Sequence, residues 1–190
     1  MTRLSAFTAP GRFWRGNLHT HSTNSDGILS PEEVCRRYQA EGYDFIALTD
    51  HFIGLYDFPM TDTRPYRNAG FTTLIGAELH SGAQSNGELW HILAVGLPHD
   101  FAPPTTISFV AEPGQETGPE IAARAVAAGA FVAVAHPQWS GLTLADARSI
   151  TAAHAVEIYN HGCANGCDRP DGFGIADLLL TEGRKLTLIA

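Results

Sequence analysis

The sequence predicts an α/β protein with a parallel sheet or barrel, and two observations carry that expectation. Short apolar, β-branched runs recur from end to end, and helical patterns with recognisable cap signals alternate with them. The runs are 16–21 (GNLHTH), 44–51 (DFIALTDH), 72–79 (TTLIGAEL), 90–97 (WHILAVGL), 131–137 (FVAVAHP), 155–160 (AVEIYN) and 186–190 (LTLIA). Their near-continuous apolar character suits parallel strands covered on both faces.

The first helix starts at Ser30-Pro31-Glu32-Glu33, which offers an N-cap serine, a proline at the first helical position and a glutamate placed for a capping box. Val34, Cys35 and Tyr38 give it an apolar stripe, and Gly42 ends it. Residues 118–129 (GPEIAARAVAAG) repeat the grammar, and weaker helices are expected over 143–153 and 172–183. Residues 98–117, rich in proline and without periodicity, read as a loop excursion.

With 190 residues the chain can bury one proper core. Its 44% hydrophobic and 17% charged residues are those of an ordinary globular protein. A formal net charge of −8 argues against a nucleic-acid backbone as main partner. Three cysteines make no disulfide framework, the start has no signal-like apolar core, and no stretch approaches a membrane span. A cytoplasmic protein with no membrane partner is therefore expected; its oligomeric state is not readable.

The informative pattern is what ends each run. His19 and His21 close the first, Asp50 and His51 the second, and Glu78 the third. His91 opens the fourth, His136 closes the fifth, and Glu157 and Asn160 lie in or after the sixth. In a barrel of parallel strands such edges converge on one face, where active sites are built. Spacing of two puts His19 and His21 on one face of an extended strand, and Asp26 follows on a glycine turn at Gly27. Burying three ionisable groups without a partner is expensive, so a metal site is the economical reading. Imidazole and carboxylate donors without a thiolate suit zinc, manganese or iron. His80, His99 and His154 fall outside the pattern and read as hydrogen-bonded core or rim residues. Cys163 and Cys167, in HGCANGCD (161–168), read as a metal-free thiol pair on a glycine-rich loop; a zinc site there lacks a second ligand pair.

The stretch RGNLHTHSTNSDGILSPEEVCRRYQAEGYDFIALTDH (15–51) resembles the opening of the PHP superfamily of metallohydrolases, named for polymerase and histidinol phosphatase. GAE (76–78), WHILAVG (90–96), AHP (135–137) and EIYN (157–160) follow in the family's order, so the likeness covers essentially the whole chain. Its details look nearest the predicted phosphoesterase and carbaryl-hydrolase-like (CehA/McbA-like) branch. The resemblance implies a distorted (β/α)7 TIM-like barrel holding two or three divalent metal ions. His19, His21 and Glu78 would hold the first, with Glu78 bridging to a second held also by His91 and His136. Asp26 and His51 would hold a third. The family's closing Asp and His follow the seventh strand, where this sequence stops. Residues 1–190 are thus expected to be a single PHP-like domain, C-terminally incomplete; a partner subunit supplying the ligands, or a site with fewer metals, are the alternatives.

The implied activity is hydrolysis of a small anionic ester by a metal-bridging hydroxide, most simply a phosphoester. Glu78 would fix the metal separation, Asp50 would orient a histidine ligand, and Arg64 and Arg67 would grip the phosphate. Carboxylic or carbamate ester hydrolysis is the runner-up, and a metal-binding domain without turnover is the competing class.

Overall fold

The computed structural model describes residues 10–190; residues 1–9, which hold most of the start read above for a signal-like core, lie outside the described residues. Eight strands make one sheet: β1 (Gly16–Asn17), β2 (Phe45–Leu48), β3 (His51–Phe52), β4 (Thr72–Ala83), β5 (Leu89–Val95), β6 (Phe131–Val134), β7 (Ala155–Glu157) and β8 (Thr187–Ile189). Their order is β1-β2-β4-β5-β6-β7-β8, with β3 carrying on the line of β2 beside β4. The sheet curls into a half-barrel of mostly parallel strands, as in a truncated TIM-like barrel.

All seven expected runs contain strand, but three differ from expectation in ways that matter to the site. β1 ends at Asn17, so His19 and His21 lie on the coil after it rather than on one strand face. β4 runs through Glu78 to Ala83, so Glu78 is mid-strand. β5 is antiparallel to both neighbours, against the all-parallel expectation. The reason is the link: residues 84–88 join β4 to β5, whereas a parallel crossover takes about a dozen residues or more. This reversal brings the start of β5, with His91, to the mouth formed by the ends of the parallel strands.

Helices cover the outer face. In α1 (Pro31–Ala40) Ser30 Oγ accepts from Glu33 N, but only this half of the expected capping box forms. The Glu33 carboxylate pairs with Arg36 and Arg37 instead. Val34 and Cys35 pack with Ile46, Leu48 and Phe71 over β2. In α2 (Gly118–Ala127) Thr117 and Glu120 make the full reciprocal box. Ile121, Ala122 and Ala125 pack on Ala77, Leu79, Trp90, Ile92 and Ala94. Next come α3 (Pro137–Ser140), α4 (Leu144–Ser149), α5 (His161–Cys167) and α6 (Phe173–Thr181). The segment carrying Cys163 and Cys167 is therefore helix α5, not a loop; Asn160 caps it by accepting from Cys163 N. Residues 98–117 hold no regular element, as their composition suggests.

Strand alternation sorts the two faces. Ala77, Leu79, Trp90 and Ile92 join the outer core, which leaves Glu78, His80, His91 and Leu93 facing inward. Leu93, Ala133, Ala135 and Ala155, with Phe131 and Ile189, fill that inner face. Among the described residues no helix is long and apolar enough to cross a membrane.

Ile92 is fully buried between β5 and α2. Ile92→Ala is expected to lower unfolding free energy by about 2–5 kcal/mol, read from the urea midpoint at unchanged slope. A loss under about 1 kcal/mol would show this layer to be loosely packed.

Candidate metal centre

The first two histidines are placed by backbone. Thr49 N donates to Thr20 O (2.7 Å), and Thr20 N to Thr49 Oγ1 (3.0 Å), which ties the 19–21 segment to the end of β2. The following loop folds around buried Asp50, which accepts from Ser22 N (2.7 Å), Ser22 Oγ (2.8 Å) and Ser25 Oγ (2.7 Å). Gly27 closes the loop through its N–H to Ser22 O, and a Cβ there would stand 2.7 Å from Ser22 N. Asp26 is presented on this loop. Asp50 thus orients the Asp26 loop, and among the described residues its carboxylate hydrogen-bonds to serine and threonine and to no histidine, unlike its expected role.

Beyond β6, His136 holds φ 24° and ψ 65°, a strained conformation for a side-chain-bearing residue. Its N–H donates to Glu157 Oε2 (2.7 Å), and its Nδ1 lies 3.1 Å from Ser140 Oγ.

These elements surround Glu78, which has 0% exposure. Its Oε2 lies 2.8 Å from His51 Nδ1, 3.1 Å from His21 Nε2 and 3.6 Å from His19 Nε2. Its Oε1 lies 2.8 Å from His91 Nδ1 and 3.1 Å from His136 Nε2. Asp26 stands to one side, 2.7 Å from His21 Nδ1 and 3.4 Å from His51 Nε2. The structure therefore brings together His19, His21, Asp26, His51, Glu78, His91 and His136.

This donor set fits divalent ions. Three nitrogens crowd Glu78 Oε2, yet neither that oxygen nor His21 Nε2 makes a hydrogen bond of acceptable geometry, although both are buried. Buried polar atoms rarely stay unpaired, and lone pairs aimed at a shared point are what a cation satisfies. Three sets have ligand atoms within 4.8 Å of one another: His19, His21 and Glu78; His21, Asp26 and His51; and His51, Glu78, His80 and His91.

Without ions the charges balance internally. Burial alone would raise the Glu78 carboxyl, but the imidazoles of His51, His91 and His19 hold it well below the usual range. Burial opposes protonation of His19, yet Glu157 and Glu78 outweigh it and raise its pKa to about 10. His51 rises to about 9 against burial, through Glu78 and Asp26. His91, with burial dominant and Glu78 only partly offsetting it, falls to about 4.

Several residues stand elsewhere than expected. Arg64 is exposed and held by Asp62, and Arg67 donates to Thr73 O (2.7 Å) and Oγ1. Neither lines the cleft, because acceptors on their own loop and on β4 capture them first. His80, expected at a core or rim position, is buried within the cluster, 2.8 Å from His51 Nδ1. Its signal was present: it is two residues from Glu78 on the same strand face. His154 accepts from Val132 N, as a core or rim histidine should, and His99 is exposed. Glu157, given no role from sequence, holds His19 Nδ1 at 2.9 Å.

Above the cluster lies a cleft of about 600 Å³, walled by Leu89, Phe109, Trp139 and Cys163, with Glu88 and Asn160 at its polar side. Burial pushes the Cys163 thiol up to about 12.

A curled α/β half-barrel thus gathers imidazoles around a buried carboxylate at its mouth, a donor set that could hold metal ions. The chain belongs to the PHP domain family, whose model matches residues 17–148. It is 33% identical over 90 residues to a 5'-3' exoribonuclease of Haemophilus influenzae, a match covering 46% of this chain and 30% of that protein. It thus spans under a third of that curated relative. Solved structures share the fold. A two-domain Bacteroides vulgatus protein containing a predicted PHP-like metal-dependent phosphoesterase aligns at TM-score 0.63 and 20% identity, over 92% of this chain and 50% of that one. An amidohydrolase from Chromobacterium violaceum aligns at 0.64 and 16%, over 92% and 85%. A Bifidobacterium adolescentis protein named as a metal-dependent phosphoesterase aligns at 0.61 and 14%, over 92% and 85%.

The raised pKa values of His19 and His51 mean that both carry a proton at pH 7.5 in the metal-free protein. A ligating nitrogen must be bare, so adding zinc or manganese at pH 7.5 is expected to release protons into a weakly buffered indicator solution. The release should shrink, and metal affinity should rise, as pH climbs through about 9 and then about 10. Metal uptake with no proton release at pH 7.5 would contradict this charge balance.

Proposed function

We propose that this chain is a divalent-metal-dependent phosphoesterase acting on a small anionic ester, with Glu78 as the shared carboxylate of its ions. The observation that carries the reading is Glu78 itself, wholly buried with five imidazoles around it. His19, His21 and Glu78 would hold one ion; Glu78, His91 and His136 a second; Asp26 and His51 a third. Zinc, manganese and iron all suit these donors. When bound, such ions supply Lewis-acid charge and lower the pKa of water at the site.

The protein's own groups hold that machinery in place. Glu157 braces His19 through Nδ1, leaving Nε2 toward Glu78. Ser140 and the Glu157 contact to its backbone fix His136. Phe109 and Trp139, 41% and 43% exposed, offer an apolar wall beside the ester position. No lysine or arginine lines the cleft among the described residues, which supports a small ester of low charge over a long polyanion. The exoribonuclease relative raises a nucleic-acid substrate as an expectation; the acidic chain and the uncharged wall count against it. That wall favours aryl carbamate or carboxylic ester hydrolysis as the second reading. Three unpaired thiols support a cytoplasmic setting.

The test is a panel of 4-nitrophenyl phosphate, bis(4-nitrophenyl) phosphate and an aryl carbamate, with manganese or zinc added. Glu78→Gln is expected to cut kcat by at least about 100-fold, since even indirect partners of a metal site are worth about 10–100-fold. Trp139→Ala should raise KM for the preferred aryl ester by about tenfold, the weight of one lost aromatic contact. Turnover that survives Glu78→Gln, or tight metal uptake with no turnover of any ester, would overturn the proposal.

A further inference from the structure

We propose that His80 is a positioning residue of the metal centre: as a neutral imidazole its Nε2 accepts a hydrogen bond from His51 Nδ1–H, fixing the His51 tautomer whose Nε2 is bare toward Asp26. The inference rests on His51 being a ligand. It does not need the chain to hydrolyse anything.

His80 has 0% exposure and stands directly opposite His91 in the β4–β5 register, its ring edge-on to His91 at 4.4 Å. Its Nε2 is 2.8 Å from His51 Nδ1. Two bare nitrogens at that separation would repel, so one of them carries a proton. If that proton sat on His80 Nε2, His51 Nδ1 would be the acceptor. The proton of a neutral His51 would then be on Nε2, which faces Asp26 at 3.4 Å and is the nitrogen an ion beside Asp26 needs. Metal ligation through His51 Nε2 thus requires the opposite arrangement, with the proton on His51 Nδ1 pointing at His80.

Glu78 Oε2 also lies 2.8 Å from His51 Nδ1, but that contact fails hydrogen-bond geometry, whereas the one to His80 meets it. The Nδ1–H is therefore directed at the imidazole and away from the carboxylate, which keeps Glu78 free for cations. The other ring nitrogen, His80 Nδ1, is buried without a partner. In this tautomer it bears an unpaired N–H, a cost that packing alone would not retain. A ligating histidine is usually oriented by a carboxylate or carbonyl. A neutral acceptor orients His51 without adding negative charge to a centre that already holds Glu78, Asp26 and Glu157.

The direct test is long-range ¹H–¹⁵N spectroscopy of histidine-labelled, zinc-loaded protein. The expected signature is His80 protonated at Nδ1 and bare at Nε2, with His51 protonated at Nδ1 and coordinated at Nε2. The companion test is zinc affinity by chelator competition. His80→Leu removes the acceptor and should weaken the most sensitive ion by about 10–100-fold. His80→Gln places an amide oxygen near the same point and should restore affinity to within a few-fold. A protonated or zinc-shifted His80 Nε2 overturns the proposal, as does a His80→Leu protein that binds zinc as tightly as the parent. A zinc count reduced by one in both variants also overturns it, since His80 would then be a ligand. If His80→Leu does not fold, the spectra of the parent protein decide. A zinc-loaded protein with the expected tautomers but no esterase activity would sink the hydrolase reading alone.

Discussion

A carboxylate removed entirely from water is the constraint from which this structure follows. Glu78 sits in the middle of the longest strand, where it cannot turn out to solvent. An isolated charge in such a place costs more than a domain can spare, so the fold must surround it with groups that can donate to it or carry positive charge. It does so with imidazoles from four separate places: the coil after β1, β3, β5 and the turn after β6. Strand pairing alone sets His51 directly beside Glu78 and His91 on the adjacent strand, and the coil after β1 and the turn after β6 add His19, His21 and His136. His19 and His51 serve two states: protonated, they balance the carboxylate; bare, they would hand that task to cations.

The reversed strand matters as much as the carboxylate. With β5 parallel, His91 at its start would lie at the closed end of the half-barrel, away from the mouth. The short 84–88 turn forbids that arrangement and gives β4 and β5 a long hairpin whose register sets His80 against His91. The chain must then return for β6, and residues 96–130 make that journey. Phe109 sits on this return path and reaches the cleft wall, 5.0 Å ring to ring from His51. One local connection thus accounts for the place of His91 at the mouth, an imidazole pair and part of the wall above them.

Much of this was legible in the sequence, for a physical reason. Strand ends converge in a barrel, so polar residues closing apolar runs mark the mouth whatever the exact strand limits. His19, His21 and His136 join His51 at the mouth although these three lie on coil or at a turn and not on a regular strand face. The misses have equally specific causes. The same-face spacing of His19 and His21 holds for Glu78 and His80 too, but His80 lies past the strand end that the apolar run 72–79 marks, and β4 continues to Ala83. The β5 reversal could have been read from the length of the 84–88 link. Asp62, two residues before Arg64, was a local reason to doubt a phosphate role for that arginine. Helix α5 was hidden by Gly162 and Gly166, whose low helix propensity the Asn160 cap overcomes. What Asp50 and Glu157 brace depends on loops folding back over long sequence distances, and no local pattern carries that.

The charge arrangement finally links ion loading to substrate recognition. The described residues that line the cleft offer acidic and apolar groups and no permanent cation. In the metal-free protein any positive charge there is imidazolium already committed to Glu78, Asp26 or Glu157. An anionic ester approaching that state meets Glu88 and a chain of net charge −8. On the proposed reading, divalent ions would replace the imidazolium protons and bring more charge than the protons they displace, which would turn the mouth of the half-barrel cationic. Affinity for an anionic ester would then be a property of the loaded centre, while the Phe109 and Trp139 wall would meet whatever apolar group such an ester carried. In that proposal recognition divides between what the ions would attract and what the aromatic wall would accept, and both trace to residues a few positions from the same strand ends.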